Sequence, residues 1–269
     1  MSDDQVHHLS IGVWVIFLAV GIAVIGTYVG VACARRASFA PTRTLLWTLL
    51  SATSTAIVTF WLPNVVLMAG FSVDGSTVRF DPVRMVISLV LCLVAVLAGL
   101  TIVSRRIGRG EGAGDARILT VMGAALVTGL GVSGGYYLSM TAIEVQGRTY
   151  MDAALIAVAV AIAVIASIGV LWMCVADVPR SVLAGGSVAV ALAPLLMHAA
   201  MMSALRVRLD AGSATPPGAE LFTVLFPGFV LGMLVLTVPI AALLMAPDRA
   251  TAELEARART WSQREVEHH

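Results

Sequence analysis

Apolar positions along the chain gather into seven long runs separated by short polar breaks. The runs are approximately Ser10–Ala34, Leu45–Ala69, Val83–Val103, Ile118–Thr141, Met151–Ala176, Ser181–Leu205 and Leu221–Met245. Each is near the roughly 20 residues a helix needs to cross a hydrocarbon core about 30 Å thick. Lipid offers the backbone no hydrogen-bond partner, so even the valine-rich fifth run is predicted as a helix rather than a strand. The pattern predicts an all-α fold, a bundle of seven transmembrane helices.

The polar breaks orient that bundle. Arg35, Arg36, Arg43, Arg105, Arg106, Arg109, Arg117, Arg180, Arg249, Arg257, Arg259 and Arg264 fall on one side, and Arg79, Arg84, Arg148, Arg206 and Arg208 on the other. This asymmetry predicts the N-terminus outside and the C-terminus inside. Residues 1–246 are read as one membrane domain and residues 247–269 as a short charged cytoplasmic tail. The first run lacks a cleavable-leader pattern and is expected to stay as a membrane helix.

Composition narrows the chemistry. The chain is 59% hydrophobic and 12% charged, with mean hydropathy +0.93; a soluble domain has no way to hide so much apolar surface. All 17 basic residues are arginine. Without a lysine amine there is no retinal or pyridoxal Schiff base and no lysine-dependent phosphate loop. Cys33, Cys92 and Cys174 form no paired motif and read as apolar filler. A net charge of +1, with arginines already explained by topology, points away from nucleic acid. No general base, nucleophile or open metal shell is recognisable, so a non-enzymatic protein is expected.

A repeat lies inside the pattern. The second, fourth and sixth runs carry related stretches toward their outer ends: FWLPNV (Phe60–Val65), GYYLSM (Gly135–Met140) and MHAAMM (Met197–Met202). Trp61, Tyr136 and His198 hold equivalent places in them. The first two copies precede similar loops, VRFD and GRTYMD. Runs one–two, three–four and five–six therefore read as three helical hairpins, with the seventh run as a final helix.

On these stretches and this topology the chain resembles the MHYT family of bacterial integral-membrane sensor domains, over roughly Ser10–Met245. The resemblance implies seven spans, an outside N-terminus, an inside C-terminus and residence in the bacterial inner membrane. It implies three Met-His-Tyr-Thr-Gly-Met-like copies near the outer face. It also implies copper binding through histidine and methionine, with sensing of oxygen, carbon monoxide or nitric oxide. The family's histidine positions fall on Trp61, Tyr136 and His198. The initial methionine positions fall on Phe60, Gly135 and Met197, and the final ones on Val65, Met140 and Met202. Only the third copy keeps Met-His and a terminal Met. Family members are often joined to cyclic-di-nucleotide or kinase output domains; no such domain is expected after the seventh run.

The candidate chemistry therefore centres on His198. Met201 and Met202, at i+3 and i+4, share its helix face, whereas Met197 is expected to point elsewhere. Thioethers suit Cu(I), and imidazole can complete such a site. His198, Met202, Met201 and Met140 are the candidate ligands, with Met68 a further donor; a packed or hydrogen-bonded histidine is the competing reading. Tyr136 and Tyr137 are expected to donate phenolic hydrogen bonds near the interface, and Pro63 and Pro194 to bend their helices. Asp74, Asp81, Arg79 and Arg84 are candidates for loop ion pairs. Arg35, Arg36, Arg105 and Arg106 are candidate contacts for a protein partner on the cytoplasmic side. The preferred reading is a membrane sensor or signalling accessory subunit acting through that partner. A small-molecule or metal transporter and a structural anchoring subunit are the alternatives.

Overall fold

The computed structural model describes residues 12–39, 43–71, 77–108, 115–176, 178–209 and 216–245. The tail beyond 245, Asp74 and the side chain of Arg106 lie outside the described residues. Seven helical spans are long and apolar enough to cross a membrane. They are α1 (Val13–Phe39), a composite second span, α4 (Pro82–Gly108), α5 (Asp115–Met140), α6 (Ala153–Val175), α7 (Arg180–Ala204) and α8 (Leu221–Met245).

The second span is built differently from the rest. It runs α2 (Thr44–Thr53), a π-helix (Ser54–Trp61), α3 (Leu62–Leu67) and a closing 3₁₀ turn (Met68–Gly70). All eight π-helical residues are buried. Pro63 stands in the first turn of α3, directly after the wide segment. A proline ring crowds the carbonyl four residues back and donates nothing to it; the wider π turn before it relieves that crowding.

Packing makes this span the central pillar. It touches α1, α4, α5, α7 and α8, while α4, α5, α6, α7 and α1 follow one another around it. The second span is the most enclosed of the seven and α8 the least. Close approach depends on glycine, because hydrophobic transfer drives nothing between helices already in lipid. A Cβ on Gly26 would fall 2.9 Å from the Thr59 backbone N, and one on Gly30 would fall 2.2 Å from Thr55 Oγ1. Gly26 and Gly30 thus let α1 lie directly on the π-helix. Ser54 Oγ donates to Gly26 O at 3.0 Å across the same contact.

The end carrying the motif copies is covered by two short ribbons. Strands β1 (Arg79–Phe80) and β2 (Ile143–Glu144) pair antiparallel, as do β3 (Gly147–Met151) and β4 (Leu205–Leu209). Phe80 is buried and bridges to Ala219. Strands this short carry no readable alternation, which is why the hydropathy pattern predicts only helices. Arg84 joins Asp81 at 3.2 Å and Glu144 at 2.9 Å. Arg79 takes Glu220 at 3.2 Å. Asp81 Oδ1 also accepts from Val83 N, and Asp152 Oδ1 from Ala154 N, so the two aspartates cap α4 and α6.

At the opposite end, arginines hold the carbonyl terminus of α6. Arg35 donates to Met173 O at 2.9 Å, Ala176 O at 3.2 Å and Val178 O at 3.1 Å. Arg117 donates to Val175 O and lies 5.9 Å from the Trp172 ring centroid. The last carbonyls of a helix lack intrahelical partners, and its dipole favours a cation there. Arg35→Gln is therefore expected to cost about 1–2 kcal/mol of stability. Arg35→Lys should not restore it, because a single ammonium does not reproduce the guanidinium fork. Thermal unfolding in detergent reads both.

Candidate functional site

The three motif copies meet in one buried layer. Phe60, Trp61 and Val65 come from the second span, Gly135, Tyr136 and Met140 from α5, and Met197, His198, Met201 and Met202 from α7; all are buried. Met197, expected to diverge from the histidine face, is as enclosed as Met201. Tyr137, by contrast, stands 43% exposed on the outside of α5.

Hydrogen bonds tie the layer together across helices. Tyr136 OH donates to Phe60 O at 2.8 Å; its partner is a core carbonyl, not the interface expected from sequence. Trp61 Nε1 donates to Ser88 Oγ at 2.9 Å, and Ser88 Oγ to Met85 O at 2.7 Å. His198 Nδ1 stands 3.0 Å from Asn64 Oδ1. Asn64 Nδ2 donates to Ser139 Oγ at 2.7 Å, and Ser139 Oγ donates to Tyr136 O at 2.8 Å.

The order of donors fixes the imidazole. Ser139 has one hydroxyl hydrogen, spent on Tyr136 O, so its oxygen accepts from the Asn64 amide nitrogen. The amide oxygen therefore faces His198, and an amide oxygen only accepts. In the neutral ring Nδ1 then carries the hydrogen, and Nε2 keeps its lone pair. That Nε2 is buried with no hydrogen-bond partner among the described residues. An unpaired buried polar atom is costly and is the feature of the layer most in need of a physical reason.

Asn64 and Ser139 were not singled out in the sequence, nor was Ser88. Asn64 nevertheless announces itself: it is the only asparagine in the chain and lies inside a motif copy. A lone amide in an apolar span is expensive unless paired. Asn64 and Ser139 both occupy the fifth motif position, where Met201 stands in the third copy.

Metal chemistry here depends on the donors. Among the described residues no group of three or more His, Cys, Asp or Glu side chains gathers to hold an ion. What is present is softer: one orphaned imidazole nitrogen with the buried thioether residues Met201 and Met202 on its own helix and Met140 on α5. This donor set fits Cu(I) in kind. The first copy offers Trp61 and Val65, neither of which is a ligand.

Fold and site together define a seven-span, multi-pass membrane protein with a hydrogen-bonded polar layer enclosed near one end of the bundle. Over residues 66–113 and 129–186 the chain matches the MHYT family, described as the bacterial signalling protein N terminal repeat. The matched regions hold the second motif copy and leave out the first and third. Over these two regions the chain is thus similar to the MHYT sensor domain family. No curated protein and no solved structure matches it.

Proposed function

We propose that the protein is a non-enzymatic membrane sensor or signalling accessory subunit whose detecting element is the polar layer around His198, and that it acts through a partner on the arginine-rich side. The observation that carries this reading is the orphaned His198 Nε2, held in one orientation by Asn64 and set among the three motif copies. A side chain present only for packing gains nothing from an unpaired nitrogen. A detecting group needs one.

The narrower form of the reading makes His198, Met201, Met202 and Met140 a Cu(I) site. The metal would supply a soft centre open to a small ligand; the protein's part is to orient the imidazole and exclude water. On the inner side Arg35 is committed to α6, whereas Arg105 is exposed and remains the better partner contact. A coupled transporter has less support, since its route needs ionisable groups in the core. The buried polar residues described here are hydroxyls, Asn64 and His198.

Anaerobic loading of the purified protein with Cu(I), followed by metal analysis, tests the copper form. One copper per chain is expected, lost in both His198→Ala and Met202→Ala, with quenching of Trp61 emission that Trp61→Phe removes. No retained copper in the intact protein would sink the metal version and leave the orphaned nitrogen to a hydrogen-bonding ligand.

A further inference from the structure

We propose that the second span is a two-register switch: the π-helix Ser54–Trp61 is one state, and an unbroken α-helix over the same residues is the other. The link to sensing rests on the function proposed above, whereas the two registers stand on the buried hydroxyls. A buried hydroxyl in a helix ordinarily donates to a carbonyl of its own preceding turn. Thr27, Thr48, Thr128 and Ser167 do so four residues back, and Ser88 and Ser139 three back. Inside the π segment no hydroxyl does. Ser54 donates across to Gly26 O, and Thr59 Oγ1 pairs with Thr27 Oγ1 at 3.3 Å. Thr55 Oγ1 is fully buried with no partner among the described residues, as is Ser51 Oγ one turn before it.

A matched contact between α4 and α5 shows what Thr55 lacks. A Cβ on Gly99 of α4 would fall 2.0 Å from Thr128 Oγ1 and 3.3 Å from Ala124 O of α5. A Cβ on Gly30 of α1 would fall 2.2 Å from Thr55 Oγ1 and 3.4 Å from Ser51 O. Glycine, threonine and the carbonyl four residues before it meet alike in both places. In α5 the winding is α-helical, and Thr128 donates to Ala124 O at 2.9 Å. In the second span the winding is π, and the Thr55 bond to Ser51 O is unmade. An α-helical winding would complete it.

The polar layer opposes that change. With the Thr44–Thr53 half held in place, absorbing the π segment moves the residues beyond it by one position. Phe60 then comes to the place of Trp61, and Pro63 to that of Asn64. Phe60 offers Ser88 no side-chain N–H, and Pro63 offers His198 no amide. Pro63 would also crowd the Thr59 carbonyl, four residues back in an α-helix. Each register therefore satisfies buried polar groups that the other leaves unpaired, which makes the span bistable rather than gradually deformable. Whatever holds His198 to Asn64 selects the π register. Its loss shifts the layer against the Thr44–Thr53 half, which starts beside Arg43 at the end where a partner would read it.

Spin-label distances in the full chain, reconstituted in lipid without added metal, test the switch. Labels attach to Leu46→Cys with Leu119→Cys, and to Ala69→Cys with Val83→Cys. All four positions are exposed, and Cys33, Cys92 and Cys174 are buried. A one-residue register change moves a backbone position by about 3.8 Å. In Pro63→Ala at least one pair should show a second distance, displaced by about 4 Å and populated roughly tenfold more than in the intact protein. Adding Thr55→Val should reduce that population roughly fivefold, because valine keeps the shape and removes the hydroxyl that the α-helical winding satisfies. One unchanged distance for each pair in Pro63→Ala overturns the proposal, as does a second distance that Thr55→Val leaves at full strength. If Pro63→Ala does not fold, Trp61→Phe, which removes the bond to Ser88, decides by the same readout. Copper retention is a separate measurement. Its failure would remove the metal reading and leave the two registers standing, whereas a single register would leave copper binding untouched.

Discussion

Asn64→Leu should destabilise the protein by about 2 kcal/mol, although it deletes only short polar contacts and keeps the branching and heavy-atom number of the side chain. The hydrogen bonds themselves account for little of this. Interhelical bonds in membrane proteins average about 0.6 kcal/mol when measured by double-mutant cycles. The larger share comes from stranding the His198 imidazole, which would then have both ring nitrogens buried without partners. Ser139 is not stranded, because its hydroxyl still donates to Tyr136 O. His198→Leu should cost about 1–2 kcal/mol, since it leaves Asn64 Oδ1 unpaired. The double variant should be more stable than the sum predicts, because removing both partners of a buried bond approaches neutrality. Equilibrium unfolding in mixed detergent measures all three. Strictly additive costs would mean that the two residues are not coupled.

Gly129→Val should be still more damaging, by about 3 kcal/mol. A Cβ at Gly129 would lie 2.6 Å from the Val164 Cα and 2.8 Å from its backbone N. Backbone atoms have no rotamer to escape into, so α5 and α6 must move apart. Because α5 also carries Tyr136 and Ser139, the separation reaches the polar layer. Gly123→Val is the matched control: a Cβ there meets no heavy atom within 4 Å, and a change of less than about 0.5 kcal/mol is expected. The same unfolding measurement compares them, and equal losses would refute the packing argument.

The helical spans were legible because lipid leaves a long apolar run few other structures. The run Leu45–Ala69 corresponds to a span from Thr44 to Gly70, and Leu221–Met245 to α8 itself. The motif layer was half legible. Equivalent spacing brought Trp61, Tyr136 and His198 into view, and the structure does gather them. Their partners were hidden because Ser88, Asn64 and Ser139 act across spans, and pairing between helices leaves no periodic trace. The ribbons were invisible for want of length. The π-helix was invisible for another reason: Ser54–Trp61 reads as well in an α-helix, and its flanking residues Thr53 and Leu62 have ordinary helical dihedrals.

That wide segment sets an angular phase. A π turn holds one more residue than an α turn, and one residue of α-helix is about 100° of rotation. An α-helical register across Ser54–Trp61 would therefore swing Trp61 and Asn64 through roughly that angle relative to the Thr44–Thr53 half of the span. Asn64 would leave His198, and Trp61 would leave both Ser88 and the Gly228 surface of α8, against which its ring now packs. The eight buried residues and the polar layer are thus two parts of a single rotary latch, and neither can change register while the other stays in place.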